Sequence, residues 1–373
     1  EVGESTPSPF VTLIQTVLRS RSNVGARNQG INQSRLMPTI SDFLDRGADY
    51  KFITEDGFSF LHFALIYRNL QFVRFFFDNI KNSNEIRSFL NLHSNYGSPI
   101  QIAIDNWNVE IMNILLKKKK EIIFNEQIKD TIIYKCALNK DTKSLILLLL
   151  NNEENIDFNV NYVSDNNEET PLHVAVNNND LYMISILANY EQTEINSLNK
   201  SGKSPLHLAC MKNEGAALAI LTKIDPQTVV KMYYEDQIIS KHSFYQMLIN
   251  LSSSASSLND KVNINLTTIG ITRRDYFRME RERVLKLKPN TTIFNIHYNE
   301  PPYNNGFTAL HISCSNRYKN AVQKILLYQN LDINAASEHG DTAVSLVCKN
   351  WNESIAQQLI DYPGVNLNYV PKE

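Results

Sequence analysis

The side chains best suited to metal binding or catalysis in this 373-residue chain are its eight histidines and four cysteines. No two cysteines have the C-x-x-C spacing, and the histidines and cysteines form no local cluster of three or more, so neither a zinc site nor a redox centre is expected. Half of the histidines share one context, three residues after a serine or threonine: His62, His173, His207 and His311. Such regular recurrence indicates a structural role, and the sequence predicts neither a metal nor a cofactor.

Motifs of nucleotide-binding and hydrolytic enzymes are absent from the sequence. The twelve glycines form neither G-x-G-x-x-G nor G-x-x-x-x-G-K-[ST], and the chain contains no G-x-S-x-G or H-E-x-x-H. Three other side chains that could act as acids or bases, His242, Asp260 and His297, fall in one stretch without the recurring histidine context. A protein without enzymatic activity is therefore the favoured interpretation, and an enzyme with an unrecognised active site in that stretch is the alternative.

The histidine context belongs to a longer motif, Ser/Thr-x-Leu-His-x-Ala, which recurs in strong and weak copies. The Ser or Thr that opens each copy stands at position 59, 98, 131, 170, 204, 308 or 342, with the copies at 131 and 342 the weaker ones. Successive copies are 33 to 39 residues apart, except for one step of 104 residues. A period near 33 residues with one interruption predicts an array of stacked helical units.

This motif and its period resemble those of ankyrin repeats. In that family the Ser or Thr caps the first of two helices, and a proline that follows it needs no hydrogen-bonded amide. The histidine connects this turn to a neighbouring repeat. The resemblance implies an all-α fold, an ankyrin-repeat solenoid of helix-turn-helix units with β-hairpin loops, interrupted by a small α or α+β insertion.

Four regions follow from the positions of the motif: an N-terminal helical cap at 1–49, about five repeats at 50–223, an insertion at 224–304, and about two repeats with a C-terminal cap at 305–373. Extra residues near 81–92 and 151–161 are expected to lengthen helices or hairpins. The insertion is either a folded element or two eroded repeats, since a step of 104 residues is close to three periods. The lack of any Leu-His-x-Ala core in it favours a folded element.

The turn between the paired helices departs from the family pattern. Ankyrin repeats normally have glycine there with a left-handed backbone, because glycine lacks the Cβ that makes positive φ unfavourable. None of the seven copies has this glycine; the position holds Arg68, Trp107, Lys140, Asn179, Asn213, Arg317 or Trp351. We expect a cost of about 1 kcal/mol per repeat, least for asparagine. The two tryptophans are either exposed anchors for a partner or local packing.

Ankyrin proteins usually bind a protein partner in the groove formed by hairpin tips and the exposed end of each first helix. The resemblance assigns this role to the following groove positions: Phe58, Ile66, Tyr67, Asp105, Asn106, Glu169, Asn177, Asn178, Lys203, Met211, Lys212, Phe307, Asn316, Lys349 and Asn350. The leading anchor candidates are Phe58, Ile66 and Tyr67, since exposed apolar side chains are unfavourable unless they bind something. Coverage of these three side chains by the N-terminal cap is the alternative.

A basic segment of the insertion is a candidate for a second contact. Between residues 273 and 288 seven positive side chains stand against three negative ones, with aromatic residues among them. The predicted contact residues are Arg273, Arg274, Tyr276, Phe277 and Arg278. Such a helix would suit an acidic partner, a phosphorylated peptide or an anionic membrane surface. A solvated helix without any ligand is the alternative.

Composition restricts the class of partner and the compartment. The net charge of -2 and the isoelectric point near 6.5 give no basic field, so a nucleic-acid partner is not expected. No apolar run is long enough to span a bilayer, and no signal peptide is expected. The cysteines fall at or beside the small-residue positions of first helices, where buried, reduced thiols are expected: Cys136, Cys210, Cys314 and Cys348. A cytoplasmic monomer is expected.

These features favour an intracellular adaptor or scaffold that binds another protein. The divergent, Asn- and Ile-rich repeats resemble ankyrin-containing effectors that intracellular bacterial pathogens deliver into host cells, which implies action on a host protein in the host cytosol. Ankyrin proteins of large DNA viruses and protozoan scaffolds share this style. Asn334, and less closely Asn196, resemble hairpin asparagines that a host asparaginyl hydroxylase modifies in the family. A structural role of these asparagines in the hairpin is the alternative.

Overall fold

The computed structural model describes residues 8–22, 33–139, 142–150, 156–224, 241–251, 258–264 and 306–369. Within these residues the chain forms 18 α-helices and one short 3-10 helix, and the β-type pairs found there are isolated bridges. The expected all-α repeat architecture is confirmed. The hairpin loops of the described residues contain single bridge pairs, such as Ile53 with Ser59, instead of β-strands.

By its internal contacts the chain divides into two compact units, residues 1–132 with 144–158 and residues 133–143 with 159–373. The first unit contains α1 (Pro9–Ser22), α2 (Gln33–Asp45), α3 (Phe60–Ile66), α4 (Leu70–Asn79), α5 (Ser83–Leu90), α6 (Pro99–Asn106) and α7 (Val109–Leu116). Helices α8 (Glu126–Leu138) and α9 (Lys143–Leu150) contribute residues to both units. The second unit also contains α10 (Pro171–Asn177), α11 (Leu181–Asn189), α12 (Pro205–Lys212), α13 (Glu214–Leu221), α14 (Lys241–Leu251), α15 (Ala309–Ser315), α16 (Lys319–Ile325), α17 (Ala343–Asn350) and α18 (Glu353–Ile360).

The first unit is built on aromatic packing. Helix α3 packs against α4 and α6, and α1 packs against α3. The ring of Phe10 on α1 lies 6.0 Å from that of Phe60 and 6.1 Å from that of Phe52, so α1 covers the first repeat. The extra residues near 81–92 were expected to lengthen neighbouring elements. They form the separate helix α5 instead, because Asn82 caps a new start by accepting hydrogen bonds from the amides of Asn84 and Glu85.

The first helices begin where the motif predicts, at a capping box. In four repeats the histidine Nδ1 accepts a hydrogen bond from the backbone N–H of the cap residue at 3.1 to 3.3 Å, and lies 2.8 to 2.9 Å from its hydroxyl oxygen. The pairs are Ser59 with His62, Thr170 with His173, Ser204 with His207, and Thr308 with His311. The histidine therefore takes the place that glutamate or glutamine has in the usual box.

The third repeat does not begin at the threonine of its weak motif. Helix α8 begins at Glu126, and the side chain of Asn125 accepts from the backbone N–H of Ile128 at 2.8 Å. Thr131 lies inside this helix and donates its hydroxyl to the carbonyl of Gln127. The expectation that Thr131 opens the repeat is wrong, because an asparagine farther upstream provides the cap.

The helix-to-helix turns have the strained backbone that the sequence predicts at five of the seven positions. Positive φ occurs without glycine at Arg68, Trp107, Asn179, Arg317 and Trp351, with values from 33° to 60°. Asn213 is different: its φ is -166°, and it caps α13 by accepting from the amide of Ala216 at 2.7 Å. One residue separates α12 from α13, so no left-handed turn forms there. Lys140 lies outside the described residues.

Replacing Arg68 by glycine is expected to stabilise the protein by about 0.5 to 1 kcal/mol, because relief of the left-handed backbone exceeds the extra entropy of glycine in the unfolded chain. The side chain of Arg68 is exposed, so little packing is lost. The matched control is Asn213→Gly, which relieves no strain and removes the cap of α13. Urea unfolding of both variants measures the difference, and an equal or larger gain for Asn213→Gly would contradict the explanation.

The repeat array is interrupted in sequence, but not in space, between α13 and α15 of the second unit. Helices α12 and α13 pack directly on α15 and α16, so no repeat stands between α13 and α15 in the described residues. Residues 258–264 return to this place, where the backbone N–H of Asn259 donates to Leu221 O at 2.9 Å and its buried side chain donates to Ala188 O and Ile220 O. Residues 258–264 therefore form part of the loop between these two repeats.

Candidate partner-binding surface

The groove positions of the first unit are less exposed than expected. Phe58 is 5 % exposed and Ile66 is 7 % exposed, so the interpretation of these two side chains as solvent-exposed anchors is wrong. The ring of Phe58 lies 5.6 Å from that of His62 and 6.3 Å from that of Tyr96, which places it between its own helix and the next hairpin. Tyr67 is half-buried, with its ring 4.7 Å from Phe63.

Three groove asparagines connect successive repeats. Each donates its Nδ2 hydrogen to a carbonyl near the end of the preceding first helix, over 2.9 to 3.1 Å. The pairs are Asn106 with Leu65, Asn178 with Ala137, and Asn316 with Cys210. The recurrence of asparagine at the same repeat position was visible in the sequence, but its partner was not. These side chains therefore have a structural role, whatever they contact outside the protein.

The groove positions of the second unit form a polar surface. Asn177 is exposed and donates to Glu169 Oε1 at 2.7 Å, while its backbone carbonyl accepts from Lys212 Nζ at 3.3 Å. Farther along, Lys349 forms an ion pair with Asp341. Arg317 donates to the carbonyl of Asn350 at 2.7 Å. Asp105, in the first unit, is exposed and accepts from Gln101 at 2.9 Å.

The other three groove positions of the second unit are more enclosed. Lys203 and Met211 are half-buried, and burial lowers the pKa of the Lys203 ammonium. Phe307 is 6 % exposed, because its ring stacks on His311 at 5.3 Å. Phe307 therefore packs inside its own repeat, as Phe58 does, and is not free for a partner.

The four repeat histidines are buried. Burial lowers the pKa of His62 and of His173 to about 4, and it also lowers the pKa of His311. Nε2 of His173 is 3.0 Å from Lys203 O, and Nε2 of His311 is 3.0 Å from Asp341 O. The expected connection to the neighbouring repeat is confirmed for these two. Nε2 of His62 has no hydrogen-bond partner.

Three of the four cysteines are buried as expected, and burial raises the pKa of each thiol, that of Cys210 to about 12. Cys348 is exposed, so the expectation of burial is wrong for it. It lies on a face of α17 that α15 and α18 do not cover. The two tryptophans also differ: Trp107 is half-buried, whereas Trp351 is 71 % exposed.

The predicted contact residues of the insertion, from Arg273 to Arg278, lie outside the described residues, as does His297. His242 is in α14, at a position whose side chain is not described. Asp260 is exposed and pairs with Lys223 at 3.3 Å. Among the described residues no group of three or more His, Cys, Asp or Glu could hold a metal ion. No helix in this part of the chain is long and apolar enough to span a membrane.

The two asparagines predicted as hydroxylation sites both bridge to the next loop. Asn334 donates to Gly364 O at 2.9 Å and accepts from the amide of Asn366 at 2.7 Å. Asn196 makes the equivalent pair of bonds with Lys261 O and the amide of Asn263, each at 2.8 Å. The structural role given as the alternative is thus present at both positions, and hydroxylation stays a prediction.

Glu214 has a structural role that the sequence did not reveal. Its Oε1 accepts from the backbone N–H groups of Asn320 and Ala321 at 2.6 and 3.2 Å, in the first turn of α16. The N-cap residue of that helix, Tyr318, provides no side-chain bond of its own. Glu214 Oε2 also accepts from the hydroxyl of Tyr245 on α14 at 2.8 Å. These partners are distant in sequence, so no local pattern indicated the role.

Comparison with known proteins agrees with the repeat geometry. A family model described as "Ankyrin repeats (3 copies)" matches residues 132–229 and 283–370. No curated protein matches the chain. The family match therefore agrees with three features of the structure: the capping boxes, the left-handed turns and the histidine bonds to neighbouring repeats.

Proposed function

Because the chain belongs to the ankyrin-repeat family, whose repeats generally mediate protein–protein interaction, we propose that it is an adaptor or scaffold that binds another protein through its groove positions. The observation that supports this proposal is the polar surface of the second unit. Asn177 and Lys212 are exposed at adjacent repeats, yet hydrogen bonds to Glu169 and to the Asn177 carbonyl fix their positions. Fixed polar side chains lose little conformational entropy when a partner binds.

A triple variant of the second unit tests this proposal: Asn177→Ala, Lys212→Glu and Lys349→Glu. In affinity capture from a eukaryotic lysate with quantitative mass spectrometry, we expect enrichment of the partner to fall by about tenfold or more, as for loss of an interface hot spot. The matched control reverses two exposed charges on second helices, Lys319→Glu and Glu353→Lys. Equal capture by all three proteins would contradict binding through these positions.

We propose in addition that the insertion provides a second contact through Arg273, Arg274, Tyr276, Phe277 and Arg278. The support is the local excess of positive charge in the sequence. A shortened chain in which a short linker replaces residues 265–305 tests this second contact. Residues 241–264 are kept, because Asn259 and Lys261 form hydrogen bonds with the repeats. Loss of one partner only with this shortened chain would assign that partner to the insertion.

The proposed place of action is the cytosol, and an effector role on a host protein is the more specific form of the proposal. Its support is the divergent, Asn- and Ile-rich character of the repeats and the burial of three thiols. A partner captured from host lysate, and bound again by the purified chain, would favour the effector role.

A further inference from the structure

Two neighbouring hairpin tips of the first unit form one surface, which we call the acidic tip surface: Ile53, Glu55, Asp56, Tyr96 and Asp105. The tips are in direct contact, since a Cβ added to Gly57 would lie 2.0 Å from His93 O. Tyr96 continues this contact, with its ring 6.3 Å from that of Phe58. Asp105 belongs to the same place because Gln101, which donates to it, lies against Gly97 of the second tip.

The surface exposes apolar side chains that nothing within the described residues covers. Ile53 is 53 % exposed and Tyr96 is 42 % exposed, although Phe58 next to them is buried. A tyrosine and an isoleucine at adjacent tips provide an apolar centre of the kind that anchors a partner at an interface.

The charge around this centre is negative. Glu55, Asp56 and Asp105 are exposed and form no ion pair with any residue that the structure describes. Lys51, on the same hairpin as Ile53, is neutralised by Glu85 at 2.8 Å. The other lysines and arginines of residues 50–116 lie on, or within two residues of, α4 and α5. A partner that complements this surface is therefore positively charged.

A short second hairpin leaves a hydrogen-bond donor unused beneath the surface. In other repeats one residue lies between the residue with positive φ and the cap residue, as Lys203 lies between Gly202 and Ser204. The carbonyl of this intervening residue accepts a hydrogen bond from the histidine of the preceding repeat. Gly97 is followed directly by Ser98, so that residue is missing. His62 is fully buried, and among the described residues its Nε2 has no partner at hydrogen-bond geometry.

We propose that the acidic tip surface binds a basic segment of a partner protein that presents an apolar side chain between its positive charges. This inference rests on the proposed function, and adds to it the chemistry of the partner and a second place of binding. The apolar side chain packs against Ile53 and Tyr96, and the positive charges pair with Glu55, Asp56 and Asp105.

Fluorescence anisotropy of the full chain with a short labelled peptide of alternating arginine and leucine tests the proposal. We expect the double variant Glu55→Lys/Asp56→Lys to weaken binding by about tenfold or more, and Tyr96→Ala by about fivefold. Binding should also weaken as salt is raised. A peptide with glutamate in place of arginine should not bind. The matched control, Asp165→Lys/Glu338→Lys, reverses two exposed hairpin charges of the second unit.

Absence of binding by the basic peptide, equal binding by the glutamate peptide, or equal loss with the control variant would each overturn the proposal. Asp105→Asn keeps the shape of the side chain and removes only its charge, so it remains informative where a charge reversal disturbs folding. The outcome is separable from that of the proposed function. A lysate partner lost with the second-unit triple variant, but unaffected by changes at the acidic tip surface, would keep the function and overturn this inference.

Discussion

Replacing Gly57 by alanine is expected to lower the free energy of unfolding of the first unit by about 2 to 5 kcal/mol. The backbone of Gly57 has φ +71°, which costs an alanine about 1 to 2 kcal/mol. The added Cβ would also lie 2.0 Å from His93 O, an overlap with backbone that the hairpin tips relieve only by moving apart. Such overpacking adds about 1 to 3 kcal/mol.

Gly47 provides the matched control for this prediction. Its φ is +83°, but a Cβ there would meet nothing within 4 Å. Gly47→Ala should therefore lose only the backbone contribution, about 1 to 2 kcal/mol. Urea unfolding followed by circular dichroism measures both variants. Equal losses would show that the two tips do not approach as closely as the structure indicates.

Acidification from pH 6.5 to pH 4 is expected to destabilise the protein through its repeat histidines. The pKa of His62 and of His173 is lowered to about 4 in the folded state, from an ordinary value of 6.5. Between these two values the unfolded chain binds more protons than the folded chain, so stability is fully present above pH 6.5 and is lost as pH falls toward 4. Each of these two buried histidines contributes about 2 to 3 kcal/mol.

The measurement is the urea midpoint between pH 7.5 and pH 4, compared for the original chain and for His173→Gln. Glutamine is a natural choice, because Gln101 occupies the same position in the second repeat. The variant should be less stable at neutral pH, since it loses the bond to Lys203 O, but its stability should fall less on acidification. The exposed His93→Gln is the control. An unchanged slope in His173→Gln would exclude this histidine as a cause.

The repeats could be predicted from the sequence because their decisive interactions are local. A cap residue and the histidine three positions later, such as Thr170 and His173, meet within one helical turn. The left-handed turn at Arg68 is likewise fixed by the short connection between two helices. Where the local signal was ambiguous the prediction was wrong, as at Thr131, because Asn125 offered an earlier cap.

The candidate sites could be predicted only in part, because exposure depends on neighbours that are distant in sequence. Phe58 and Phe307 stand at groove positions, yet each is buried against the histidine of its own repeat. Tyr96 was not singled out, although it is exposed beside one of them. The sequence supplied the positions of the groove, and it could not tell which side chains point into the protein.

The sequence by itself determined the repeat family, most of the helix starts and five of the strained turns, since these depend on residues within a few positions of one another. The tertiary structure decided which groove residues are free, where residues 258–264 rejoin the repeats, and that Glu214 caps α16 across a long interruption. It also brought an acidic hairpin tip against the next tip, with Ile53 and Tyr96 exposed there. The physical reason is that contacts between repeats set the burial and pairing of these side chains. The period of the motif predicts how many repeats there are, but not which side chains meet between them.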